Sequence, residues 1–385
     1  MKRRYWFLIT TLLLLLIAWL VVGLGFFDAA NTAPSIIVEF DPPLGFQQAD
    51  GPWEWDFPRD FGPHPDFQTE WWYYTGNLET DTGERFGYQL TIFRRALLPE
   101  EDTPERDSAW AADQVYMAHF ALSDISADKH YAFERFSRGA DSLAGAQADP
   151  FKVWLENWRV VQTPDGLYHL SAKNKDIAVD LILKDLKGPI LHGNLGYSQK
   201  GSARGNASYY YSLPRLETTG TLQTAEGIYQ VEGLSWKDHE FSTDALSSGQ
   251  VGWDWFSLQL TDGSELMIYQ VRRDDGSIDP YSSGTWISPE GETVQLGREQ
   301  FEIQVTESWK SQQSGADYPA GWRISITTLD LDLEAKPMMN DQEMNVSYTY
   351  WEGAVELSGT KEGMHISGKG YIELTGYTES MEGQF

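Results

Sequence analysis

Glu70-Trp71-Trp72-Tyr73-Tyr74-Thr75-Gly76-Asn77-Leu78, then Asp81-Thr82-Gly83, then Phe86-Gly87-Tyr88-Gln89-Leu90-Thr91-Ile92-Phe93, reads as a strand, a turn and a returning strand. Aromatic and β-branched runs joined by an Asp/Gly turn are the pattern of a β-hairpin. The pattern repeats outward at Tyr116 to Ser123, Phe151 to Val160, Leu167 to Ala172 and Ile177 to Leu183. It continues at Gly220 to Leu222, Ile228 to Gly233, Trp253 to Leu260, Glu265 to Val271, Trp322 to Thr327, Leu329 to Glu334, Ala354 to Leu357 and Met364 to Leu374. The body carries no long, capped 3.6-residue period. Many short strands between turns predict a mainly β sandwich or barrel. Length and strand number point to two consecutive antiparallel barrels, residues 63–242 and 243–385, with Ser247-Ser248-Gly249 near the junction. A barrel with an apolar interior can hold one ligand. Alternation lets only one of Trp71 and Trp72 face inward.

Upstream, residues 34–62 are rich in Pro, Asp and Gly and read as an extended lead-in. Residues 1–33 read as an export segment. Lys2, Arg3 and Arg4 precede a nearly unbroken apolar run from Trp6 to Phe27. A cleavable signal has an apolar stretch of about 7–15 residues, whereas a spanning helix needs roughly 20. The expectation is therefore an N-terminal transmembrane or signal helix in the inner membrane, with a periplasmic or extracellular body. Ala29, Ala30 and Ala33 leave cleavage, and hence secretion, as the alternative.

The chain has 385 residues, 29 Lys and Arg against 57 Asp and Glu, and a net charge of −28. Nucleic acid is thereby excluded as an expected partner, because phosphate binding needs a basic surface. With Cys 0, disulfides, thiolate zinc sites and Cys nucleophiles are excluded. No GxSxG elbow, phosphate loop or HExxH spacing is present, so serine hydrolysis, nucleotide binding and metal binding have no motif behind them. No cofactor and no metal are expected.

The segment from His64-Pro65-Asp66-Phe67-Gln68-Thr69 through Glu70 to Gly76 resembles the entry signature of the carotenoid 1,2-hydratase (hydroxyneurosporene synthase) and AttH family. Tyr116 to Phe120, Tyr209 to Ser212, Trp236-Lys237-Asp238-His239-Glu240-Phe241 and Gly252 to Phe256 are similar too, so the resemblance runs over residues 55–380. It implies two lipocalin-like barrels and an apolar ligand, isoprenoid- or lipid-like, within or between them. Members of the family include hydratases of acyclic carotenoids, secreted proteins labelled hydrolases, and fungal relatives that assist cycloaddition.

Alkene hydration needs an acid to protonate carbon and a base-guided water to capture the cation. The resemblance puts His239 first. Asp238, Glu240, Tyr269 and Asp254 are the other candidate catalytic groups, and Trp236, Phe241, Trp253 and Trp255 the candidate ligand-binding ones. His239 and Trp253 are expected to share one pocket at the domain junction. A structural corner in which Asp238 and His239 satisfy backbone groups is the alternative. In the hydratases an acid follows the matching Tyr by two positions and a Trp stands at the matching aromatic. Here those positions hold Val271 and Phe241, and a Val cannot donate a proton.

Glu70, Trp71 and Trp72 form a second candidate ligand site. A carboxyl set among aromatics is expected to have a raised pKa; the alternative is a barrel-floor plug. Arg94-Arg95 is expected to pair with Glu100-Glu101-Asp102 at a barrel rim. His130, His169, His192 and His365 read as surface or turn residues. A lipid carrier and a cell-surface attachment role are the non-catalytic alternatives.

Overall fold

The computed structural model describes residues 45–99, 112–243 and 246–382. The expected export segment, residues 1–33, and the acidic run at 100–102 lie outside them. Among the described residues no helix is long and apolar enough to cross a membrane.

The alternating segments are strands. The first sheet contains β1 (Thr69–Glu79), β2 (Arg85–Ala96), β3 (Gln114–Asp124), β4 (Lys129–Arg138), β5 (Ala144–Gln147), β6 (Lys152–Leu155) and β7 (Trp158–Gln162). It continues with β8 (Tyr168–Asn174), β9 (Ile177–Asp185), β10 (Ile190–Leu191), β11 (Tyr197–Gln199), β12 (Ala207–Gln223) and β13 (Ile228–Ser242). The second sheet has β14 (Gln250–Leu260), β15 (Glu265–Arg273), β16 (Ser283–Ile287), β17 (Thr293–Gly297) and β18 (Glu302–Lys310). It ends with β19 (Asp317–Ile326), β20 (Leu331–Pro337), β21 (Glu343–Asn345), β22 (Thr349–Lys361) and β23 (Met364–Leu374).

In the first sheet the order is β4-β3-β2-β1-β13-β12-β9-β8-β7-β6-β5, with β10 and β11 added on β12. In the second it is β17-β16-β15-β14-β23-β22-β20-β19-β18, with β21 on β22. The first closes nearly into a barrel and the second into a half-barrel. Phe151 to Val160, read as one strand, is a hairpin of β6 and β7 that reverses at Glu156 with φ 55.

Side chains fill the barrel. Trp72, Trp158, Tyr88, Leu170, Leu181 and Leu213 form part of its buried core. Each large apolar side chain removed from water stabilises the fold by about 1.5–3 kcal/mol. Residues 45–62 do not run free as an extended lead-in. Trp55, Phe57 and Phe61 pack on Tyr211, and Trp53 packs on Tyr209 and Phe241. The half-barrel has its own core around Phe256, Trp322 and Trp351. A third cluster, with Tyr73, Tyr210, Trp236, Trp255, Tyr269 and Tyr371, lies between the two sheets.

Candidate functional site

Strand alternation divides the candidate residues into two groups. On β13, Asp238 stands in register between Tyr73 of β1 and Ser212 of β12, while His239 stands between Trp72 and Tyr211. Asp238 and Glu240 therefore face the half-barrel, and His239 faces the barrel interior.

The outward-facing residues line a pocket with a cavity volume of about 110 Å³. Trp71, Tyr73 and Phe93 contribute from β1 and β2, Tyr210 from β12, and Asp238 and Glu240 from β13. Across from them stand Trp253, Trp255, Tyr269, Val271, Tyr350, Glu352 and Glu373. Trp236 lies behind the lining and donates its indole N–H to Asp238 Oδ1 at 2.6 Å. Tyr210 donates to Asp238 Oδ2 at 2.8 Å and receives the Trp255 indole N–H at 3.0 Å. Ser212 Oγ is hydrogen-bonded to Asp238 Oδ1. Burial outweighs these bonds and pushes the Asp238 carboxyl up to about 7.

Two further acids lie opposite. Glu352 and Glu373 are direct cross-strand neighbours on β22 and β23. Trp253 donates its indole N–H to Glu373 at 3.1 Å, and Tyr73 and Tyr350 stand beside Glu352. Like charges directly opposed in a sheet repel. Burial raises both carboxyls, and their mutual repulsion adds to the rise at Glu352. Lys200 reaches Glu240 at 3.2 Å and lies 4.1 Å from the Tyr269 ring centroid. Burial opposes the Lys200 charge, but Glu240 and its neighbours hold its pKa above the ordinary value. Such a pocket offers aromatic faces, protonated carboxyls and one paired cation: acid–base chemistry on an apolar molecule.

The inward-facing residues form a different constellation. Glu70 Oε1 meets His239 Nε2 and His64 Nδ1, each at 2.8 Å, and Arg94 Nε donates to Glu70 Oε2 at 2.8 Å. His64 continues to Asp60 at 3.3 Å. On the other side Tyr211 joins His239 Nδ1 at 3.0 Å and accepts from Lys237 Nζ at 2.8 Å. Trp72 stacks on His239 and Phe241 stacks on His64. Burial pushes His239 down to about 4 and Lys237 down to about 7.

Several expectations change here. His239 and Trp253 do not share a pocket, because the pleat turns His239 into the barrel. Glu70 is not raised: burial pushes its pKa up, but Arg94 and two histidines pull it well below the ordinary value. Arg94 sits buried against Glu70 rather than on a rim. Asp254 points away from the pocket, where Arg272 donates to it at 2.9 Å and Tyr377 at 3.1 Å. His192 is buried between the sheets, not on the surface. Trp71, Trp253, Trp255 and Tyr269 do line the pocket, whereas Trp72, Glu70 and Phe241 do not. Sequence reasoning missed Lys200, Glu352 and Glu373. The one available signal was an acid whose same-face neighbours are aromatic or small: Tyr350 and Ala354 about Glu352, and Tyr371 before Glu373.

His64, Glu70 and His239 bring ligand-type atoms within 4.8 Å of one another. Arg94 already holds the second oxygen of Glu70, and both rings are hydrogen-bonded to the first. A cation placed there would face the guanidinium charge, so the donor set fits an ion-pair network better than a metal centre.

A family model described as AttH-like matches residues 48–377. The fold is similar to that of a Nitrosomonas europaea protein assigned as AttH, at 34% identity and a TM-score of 0.77, over 86% of this chain and 100% of that one. It is also similar to kievitone hydratase from Nectria haematococca, at 14% identity and a TM-score of 0.64, over 87% of this chain and 97% of that one. No curated protein sequence matches.

Proposed function

The chain belongs to the AttH-like family, and from that premise we propose that it is a lipocalin-like hydratase acting on an apolar, isoprenoid- or lipid-like molecule held between its two sheets. The observation that carries this reading is Asp238, a buried carboxyl whose pKa is pushed up to about 7 in an aromatic pocket. At neutral pH such a group keeps a proton to give. In the proposed reaction Asp238 transfers its proton to one carbon of a C=C bond. The π pair forms the new C–H bond and leaves a cation on the other carbon, beside the rings of Tyr73, Tyr210 and Trp253. Water oxygen bonds to that carbon, and its excess proton returns to the Asp238 carboxylate. Alkene plus water becomes alcohol, with no cofactor. Isomerisation or cyclisation shares the first step and differs in how the cation is quenched.

The likeness to kievitone hydratase at 14% identity is a likeness of fold; the pocket's own acids support hydration. They also favour an enzyme over a carrier or an attachment protein, since carriage needs only aliphatic and aromatic walls. A cavity of about 110 Å³ takes one end of a long molecule rather than the whole of it; a dry cavity of roughly 150 Å³ holds a benzene ring. We further propose that the barrel and half-barrel are the two lipocalin-like units, residues 63–242 and 243–385. By the same reading residues 1–33 carry the body across the inner membrane, as an anchor or a cleaved signal.

Full-length protein incubated with acyclic isoprenoid alkenes in ¹⁸O-water tests the reaction. Label should appear in a new alcohol, and Asp238→Asn should lower the rate at least about 100-fold. Retention of these alkenes without any labelled alcohol would favour the carrier.

A further inference from the structure

His192 is absorbed neither by the pocket lining nor by the barrel network, yet it bridges the two sheets directly behind Asp238. Its backbone N–H donates to the Tyr210 carbonyl at 3.1 Å. Its Nε2 lies 2.6 Å from Ser212 Oγ, and its Nδ1 lies 2.9 Å from Thr285 Oγ1. Thr285 in turn reaches Gln295 Oε1 at 2.9 Å.

Backbone groups set the direction of this chain. Gly193 N–H donates to Gln295 Oε1 at 2.9 Å, and Gln295 Nε2 donates to the Leu191 carbonyl at 3.3 Å. Gln295 Oε1 can only accept, so Thr285 gives it its hydroxyl proton. Thr285 then has only a lone pair for His192, whose Nδ1 must carry the hydrogen. A neutral imidazole with Nδ1–H has a bare Nε2, and Ser212 donates to it. With the ring neutral, Ser212 has no second proton for Asp238 Oδ1, with which it is in contact, and the hydrogen of that last bond then comes from the carboxyl; a charged ring would instead leave Ser212 donating to a carboxylate. The far oxygen is fixed independently. Trp255 donates to the Tyr210 oxygen, so Tyr210 donates to Asp238 Oδ2.

We propose that His192 is a positioning residue: through Ser212 it holds Asp238 in the acid form, with the polarity imposed by Thr285 and Gln295. This deepens the proposed function by assigning the origin of its proton donor. To give up its proton, Asp238 turns the Oδ1 hydroxyl from Ser212 toward the pocket, and Ser212 can then turn its hydrogen from His192 to the new carboxylate. The chain thus opposes ionisation at rest and supplies a donor once it has occurred. The other groups facing Asp238 act alongside it. Glu240 disfavours a second negative charge beside it and the protonated Glu373 adds none, Lys200 offsets Glu240, Tyr210 donates, and Lys237 stands on the reverse face of the same strand. Burial and the nearby Lys200 push His192 down to about 3, in keeping with a neutral ring.

The test is the tautomer of His192 in full-length, ¹⁵N-histidine-labelled protein, assigned by loss of its signals in His192→Gln. The expected result at pH 6–7 is a neutral ring with Nδ1 protonated and Nε2 bare. An infrared carboxylic-acid band that disappears in Asp238→Asn should accompany it. Thr285→Val keeps shape and removes the acceptor at Nδ1. The ring can then carry its hydrogen on Nε2, and Ser212 is released to Asp238. The midpoint for loss of the acid band should fall by about one pH unit, a tenfold change. An imidazolium, an Nε2–H ring, or an unchanged midpoint in Thr285→Val would overturn the assignment. Should Thr285→Val not fold, the tautomer in the unaltered protein still decides. None of these readouts needs turnover, so a failed alkene assay and a failed tautomer assignment remain separable.

Discussion

At the scale of single residues, two buried carboxyls on the adjacent strands β1 and β13 have opposite electrostatics because the pleat sends them to opposite sides of the sheet. Glu70 is held well below its ordinary pKa inside the barrel, whereas Asp238 is held up at about 7 in the pocket. The two signs give opposite pH dependences. Glu70 contributes stability that is present above its unfolded value of 4.5 and is lost as pH falls through its lower folded value. Asp238 stays protonated in the folded chain where it would ionise in the unfolded one. Its contribution therefore declines as pH rises from 3.8 toward 7. Arg94→Met leaves Glu70 buried without its cation. Urea unfolding at pH 7 should show a loss of about 3–5 kcal/mol, the usual cost of breaking a buried ion pair. A change within error would mean that the pair is dispensable. Catalytic rate, once a substrate alkene is in hand, should fall about tenfold per pH unit above 7, as the acid form of Asp238 is titrated away. A flat profile to pH 9 would exclude Asp238 as the proton donor.

At the scale of elements, the hairpin of β1 and β2 was legible because its alternation is regular and its turn is explicit. Its register was not drawn: the pairing of Glu79 with Arg85 places Glu70 opposite Arg94, whereas the sequence set Arg94 on a rim, because the packing that buries the pair comes from strands distant in sequence. The central part of β13 was not legible as strand. Lys237-Asp238-His239-Glu240 is four polar residues in a row, which reads as a corner, yet all four are buried. Only partners from β1 and β12, distant in sequence, make that possible. The same reason hid His192, Lys200, Glu352 and Glu373, each isolated in sequence and given meaning by strands from elsewhere. Close packing of the two sheets has its own test. A Cβ at Gly87 of β2 would lie 2.9 Å from Ala354 Cβ of β22 and 3.2 Å from the Tyr371 hydroxyl of β23. Gly87→Val should wedge the sheets apart and weaken an apolar probe's affinity for the pocket about tenfold, or 1.4 kcal/mol, read by quenching of pocket tryptophan fluorescence. Unchanged affinity would mean that sheet spacing does not shape the pocket.

At the scale of the whole molecule, the proposed site lies on the outside of a filled barrel, where the half-barrel covers it. The barrel interior is occupied by its own aromatic core and by the Glu70 network, while the inter-sheet space has both room and unspent acids. The sequence left the ligand within or between two barrels; the pleat of β13, which turns Asp238 outward and His239 inward, favours the space between the sheets as the proposed site. The direct test is photolabelling of the full-length protein with a diazirine-bearing isoprenoid alcohol, followed by peptide mass spectrometry. Label should fall on peptides carrying Trp71 and Tyr73, Tyr210, Trp253 and Trp255, and on Tyr350. Predominant labelling of interior residues such as Leu170, Leu181 or Leu213 would contradict the account.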